Sequence, residues 1–180
     1  MRFQKLWMAL GAVTLIGMLA LPSQAQVNSN NATVALNATL AESLTVTAGP
    51  ATVTFALVPS GPAAGSAPVS ITTAWSLDAT RTGVSLYAYF STADALTDGG
   101  GNNIPTSAVS GSVNGGAASA FTTATPFSAN GKTVFAQAVG AGTYSGSRGP
   151  DTIDLSINTT GLGLPSGTYT GTLNIQAQAL

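Results

Sequence analysis

From Val69 to Leu77 the chain alternates. Val69, Ile71, Thr73, Trp75 and Leu77 share one parity, and Ser70, Thr72, Ala74 and Ser76 take the other. A period of two is the strand period; a helix would return its apolar residues every three or four positions. The pattern recurs along most of the chain. Val34, Leu36, Ala38 and Leu40 carry it, continued by Leu44 and Val46. Val53, Phe55 and Leu57 follow, closed by Pro59-Ser60-Gly61-Pro62. Val84, Leu86, Ala88 and Phe90 face one way, with Tyr87 and Tyr89 opposite. Val134, Ala136 and Ala138 oppose Phe135, and Ile153, Leu155 and Ile157 alternate with Asp154 and Ser156. A final run, Tyr169, Gly171, Leu173, Ile175, Ala177 and Ala179, alternates with Thr, Asn and Gln. Trp75 follows the apolar parity of its strand and is read as a core anchor.

Turn chemistry punctuates these runs. Arg81-Thr82-Gly83 separates two strands and predicts a hairpin between them. Asn114-Gly115-Gly116 predicts a second hairpin, and Asn130-Gly131 and Leu164-Pro165-Ser166-Gly167 mark further reversals. Asp98-Gly99-Gly100-Gly101-Asn102-Asn103 is a loop. About eight to ten short strands with frequent turns predict an all-β fold, an antiparallel two-sheet Ig-like β-sandwich. The first alternating run, within residues 32–40, fits either the domain's own first strand or a donor strand that completes a neighbour.

The first 25 residues read as a signal peptide. Arg2 and Lys5 precede the uncharged apolar run Leu6–Leu21; Pro22 ends it, and Ser23-Gln24-Ala25 supplies a small-residue cleavage site. The remaining 155 residues, 26–180, suffice for one domain. The expected location is secreted, periplasmic or cell-surface, in a bacterium, with no membrane span after cleavage. The chain has no cysteine, so no disulfide supports it and its stability must come from burial and backbone pairing.

Composition narrows the chemistry. The chain has no His and no Cys, which removes Ser-His-Asp and Cys-His mechanisms and the usual zinc ligands. Past the leader, Arg81, Lys132 and Arg148 stand against Glu42, Asp78, Asp94, Asp98, Asp151 and Asp154, too sparse for a nucleic-acid or anionic-lipid surface. Ser128 lies four residues before Lys132, the wrong spacing for a Ser-Lys pair. Asp151 and Asp154 are the nearest carboxylates, but strand parity puts them on opposite faces, and both read as solvated strand-end charges. Asp94 and Asp98 lie near the Gly/Asn loop, within Asp94–Asn103, where calcium ligation competes with an ordinary polar loop. The segment GTYSGSRG, Gly142–Gly149, lacks the Gly-Lys-Ser/Thr ending of a phosphate loop. Tyr87 and Tyr89 are the candidate ligand-contacting aromatics, placed to stack on sugars if exposed. No catalytic residue, cofactor or metal site is assigned.

The segments Asp151–Ile157 (DTIDLSI) and Leu164–Ile175 (LPSGTYTGTLNI) resemble the closing strands of secreted bacterial Ig-like sandwich proteins. That group includes exported proteins of soil bacteria and, more distantly, pilin-like and spore-coat-U-like surface subunits. Ala32–Leu57 is similar to their opening strands. The resemblance implies an Ig-like fold and a non-enzymatic structural or interaction role at the cell surface or in the extracellular matrix. The expected partners are other copies or other surface proteins met through sheet edges. The alternative is a carbohydrate-binding or adhesion module whose partners are glycans.

Overall fold

The computed structural model describes residues 29–127 and 130–180, so the signal peptide expected at 1–25 lies outside the described residues. Thr39–Leu180 forms one compact unit. It is all-β, a sandwich of antiparallel sheets, as the alternation predicts. The larger sheet is built from β1 (Ser43–Gly49), β3 (Val69–Ser76), β10 (Ser145–Asn158), β7 (Val109–Val113) and β8 (Ser119–Ala120), in that spatial order. A short β2 (Pro62–Ala64) pairs with the far end of β10. The second sheet is β11 (Asn174–Ala179), β4 (Gly83–Tyr89) and β9 (Lys132–Ala138). β5 (Asp94–Thr97) and β6 (Asn103–Pro105) form a separate two-stranded ribbon.

The core lies between the two main sheets. Ile71, Leu86, Ile104, Phe121, Ile153 and Ile157 are almost fully buried. Burying one such side chain contributes roughly 1.5–3 kcal/mol. Trp75 is 5% exposed, and its Nε1–H donates to the Thr143 carbonyl at 3.1 Å, so this anchor is both apolar and hydrogen-bonded. Phe90 and Phe121 meet edge to face at 5.2 Å. Ile153, Leu155 and Ile157 are buried while Asp154 is exposed, as the period predicts. The Asn114-Gly115 hairpin is present between β7 and β8, with both turn residues at positive φ (51° and 73°).

Five expectations are corrected. β3 and β4 are not a hairpin: each joins a different sheet, and residues 77–82 cross the sandwich between them. No strand covers residues 29–42; Val34, Leu36 and Leu40 are 81–90% exposed, and pairing begins at Ser43. Val53, Phe55 and Leu57 lie in an irregular segment whose one ladder contact is a bridge from Phe55 to Gly65, because Pro50 and Pro59 confine it. In β9, Val134 and Phe135 are both buried and Ala136 and Ala138 are exposed. The register shifts opposite Leu86 and Tyr87, and this bulge breaks the parity. Finally, the last strand is six residues, not the whole run from Tyr169. Thr170 instead exchanges both backbone hydrogen bonds with Thr97 at 2.9 Å.

Candidate assembly cleft

The two main sheets end in strands that are paired along one edge only, among the described residues. β1 pairs with β3, and β11 pairs with β4. β1 and β11 lie against one another across the sandwich. Their inward residues show the consequence: Leu44 and Val46 of β1 and Ile175, Ala177 and Ala179 of β11 are only half-buried. In a closed layer such positions would be covered by the next strand.

A cleft of about 870 Å³ opens beside this seam. Ala48 at the end of β1 and Ile175 at the start of β11 both line it. One wall is the irregular segment after β1, with Val53, Phe55 and Leu57; the other is the stretch Gly167–Leu173. Leu155 and Ile157 of β10 lie among its lining residues. No lining residue carries a charge. A smaller hollow of about 160 Å³ lies at the opposite ends of the same strands, lined by Leu44, Leu77 and Ala179 together with Ser43 and the charged pair Glu42 and Arg81.

Gly171 holds one wall in place. A Cβ there would overlap the Ala95 carbonyl oxygen, with the Ala95 carbonyl carbon at 2.9 Å and the Leu96 Cα at 3.1 Å. Only glycine lets this stretch approach β5 closely enough to make the Thr97–Thr170 bonds. The opposite end of β1 is fixed by Glu42. Its carboxylate accepts from the Asp78 amide at 2.8 Å and from Arg81 Nε and Nη2, each at 3.0 Å. Those bonds, the Arg81 contact foremost, hold the Glu42 pKa down to about 2.

The sequence-predicted residues fall elsewhere. Tyr87 is half-buried, across from Gln176 and Thr133. Tyr89 is corrected outright: it is 4% exposed, and its hydroxyl donates to Gln176 Oε1 at 2.7 Å. The two tyrosines therefore form no exposed aromatic pair, because the neighbouring β11 side chains cover that face. Asp98 is occupied by its own loop, accepting from the Gly100 and Asn102 amides and from Asn102 Nδ2 at 2.6–3.0 Å. The Asn102 side chain foremost, then the amides, lower its pKa. Asp94 accepts from Asn103 Nδ2 at 2.9 Å. Lys132 donates to Ser119, and its Nζ lies 4.8 Å from the Phe121 ring centroid; Ser128 lies outside the described residues. Burial lowers the Lys132 pKa. Among the described residues no three acidic, His or Cys side chains gather to hold a metal.

Asp151 is not a solvated charge. It is 5% exposed and receives a two-point contact from Arg148 (3.0 and 3.1 Å) and a bond from Asn114 Nδ2 at 2.8 Å. One extra residue in β10 at Gly149-Pro150 shifts the register between Arg148 and Asp151. It thereby puts an i, i+3 pair on one face, which a straight strand would separate. The Arg148 guanidinium also lies 4.6 Å from the Phe135 ring centroid, so it links β10 to β9 in the other sheet. Burial opposes ionisation of Asp151, but the Arg148 and Asn114 bonds outweigh it and leave the pKa lowered. This network is a structural tie between sheets.

No family model, curated protein or solved structure matches the chain.

Proposed function

We propose that the protein is an exported, non-enzymatic structural subunit of the bacterial cell surface or matrix that associates through its sheet edges. The observation that carries this reading is the seam between β1 and β11, where two edge strands of different sheets meet beside one uncharged cleft lined by apolar and threonine residues. Unpaired edges are templates for strand addition, and proteins that must stay apart defend them with charge, proline or a covering element. β1 and β11 carry no charged residue and no proline. The seam's apolar rows are left half-buried, so association would remove apolar surface from water and complete a backbone ladder in one step. The placement of the carboxylates supports the non-enzymatic part: Asp98 and Asp151 are engaged by neighbouring amides or by Arg148, and neither faces the cleft.

The test is electron microscopy and sedimentation of residues 26–180 at increasing concentration. The reading expects ordered fibres or layers that pellet in a concentration-dependent way. Particles that remain small and uniform under every condition would refute it.

A further inference from the structure

We infer that the cleft beside the β1–β11 seam is a binding site for one uncharged lipid-like molecule, an alkyl or isoprenoid chain ending in a hydroxyl. The inference goes beyond the association proposed above and does not depend on it: the ligand lies within the cleft and leaves the backbone edges of β1 and β11 free. Three observations carry it. The first is size and depth. At about 870 Å³ the cleft falls within the ~300–1,000 Å³ of sites that enclose a single small ligand. Its lining reaches the core, since Val69, Phe90, Val109, Leu155 and Ile157 belong to it and are all buried.

The second observation is that both walls are fixed by bonds to residues outside the cleft. On one wall the Thr54 carbonyl accepts from the Ser66 amide at 2.8 Å, and the Thr54 amide donates to Ser66 Oγ at 3.1 Å. On the other, Thr170 is bonded to Thr97, and the Tyr169 hydroxyl donates to the Pro165 carbonyl at 2.9 Å. Ser66, Thr97 and Pro165 do not line the cleft. Closing it would break these bonds, so the space is preformed and little ordering opposes entry of a ligand.

The third observation is the chemistry of the lining. It contains no charged side chain, so a charged ligand would leave its charge unpaired. The ion pair Glu42–Arg81 lines the smaller hollow at the other end of the seam, where its two members bind each other. The cleft also lacks Asn, Gln, Trp and every acidic residue, the partners that the many hydroxyls of a sugar would need. Its polar side chains are threonines and Tyr169, whose hydroxyl is already engaged. Thr52, Thr168 and Thr172 are exposed, which puts hydroxyls at the mouth above an apolar floor. An apolar chain with one hydroxyl end matches that gradient.

Two dyes of one ring skeleton test this. N-phenylnaphthylamine is neutral, and anilinonaphthalene sulfonate adds one negative charge. Each is titrated into residues 26–180 and followed by fluorescence. We expect saturable binding of the neutral dye, one per chain and at least tenfold tighter than the anionic dye, displaced by dodecanol and not by maltose. Ala48→Phe and Thr168→Phe, at exposed positions lining the cleft, should each weaken the neutral dye at least tenfold; Thr160→Phe, exposed and outside the lining, should not. Thr172→Lys, also exposed in the lining, should tighten the anionic dye at least tenfold, a gain that loss of folding could not produce. Absence of saturable neutral-dye binding, displacement by maltose, or binding unchanged in both phenylalanine variants would overturn the inference. Light scattering on the same samples reads association separately: a monomer that binds the dye keeps the site and refutes only the association.

Discussion

Replacing Gly171 by alanine tests how the cleft wall is built. The added methyl would overlap the Ala95 carbonyl oxygen and press on the Ala95 carbonyl carbon and the Leu96 Cα at 2.9 and 3.1 Å. These are backbone atoms of β5, so no rotamer change relieves the overlap. The stretch around Gly171 must move away, and the two Thr97–Thr170 hydrogen bonds at 2.9 Å break with it. Each such bond contributes about 0.5–1.5 kcal/mol, and forced overpacking costs about 1–3 kcal/mol. Part of each is recovered by relaxation, which leaves a loss of roughly 2–4 kcal/mol. For a unit of this size that lowers Tm by roughly 6–15 °C. Thermal and urea unfolding of residues 26–180 measure it. Gly140→Ala is the control, since nothing lies within 4 Å of a Cβ there and its φ is not positive. It should be neutral or slightly stabilising. If Gly171→Ala changed stability by less than about 0.5 kcal/mol, the close approach to β5 would be refuted as a determinant of the wall.

Thr73 Oγ1 is buried with no hydrogen-bond partner, so Thr73→Val should raise stability by about 1 kcal/mol; a loss of that size in urea unfolding would contradict this. Asp151→Asn should cost about 1–3 kcal/mol, because the Arg148 and Asn114 contacts are charge-assisted and Arg148 is partly exposed. Because the folded pKa of Asp151 lies below its unfolded value near ~3.9, its stabilisation is complete above that value and disappears as pH falls through the folded pKa. Unfolding curves from pH 6 to pH 2 should therefore decline less steeply for Asp151→Asn than for the parent; parallel declines would refute the assignment. Tyr89→Phe should lose about 0.5–1.5 kcal/mol through the unmade bond to Gln176, with no change in binding to any polysaccharide, as checked by calorimetry and pull-down.

The strand content and the core were legible because they rest on local period. Trp75, Ile153 and Leu155 were readable from alternation alone, and Asn114-Gly115 from turn chemistry. What was not legible depends on contacts between residues far apart in sequence, or on single-residue slips. The bulge at Gly149-Pro150 turns Asp151 inward beside Arg148, and nothing in the period announces it. The same failure hid Phe135 behind Val134. The strand pattern puts Tyr89 on the second face of its strand without saying whether that face is covered; the structure buries it, with its hydroxyl on Gln176. The Gly171 close approach is a tertiary event with Ala95, invisible in GTYTGTL, although a glycine within an alternating run is a fair signal of backbone contact. The N-terminal alternation was visible, yet period alone could not say whether it belonged to the domain. The structure leaves those side chains exposed and begins the sheet at Ser43.

The open seam between β1 and β11 is the centre of the account. Light scattering on residues 26–180 across a hundredfold range of concentration tests it most directly. The account predicts a mass that climbs with concentration through discrete multiples of one chain. A single-chain mass that holds across the whole range would contradict it.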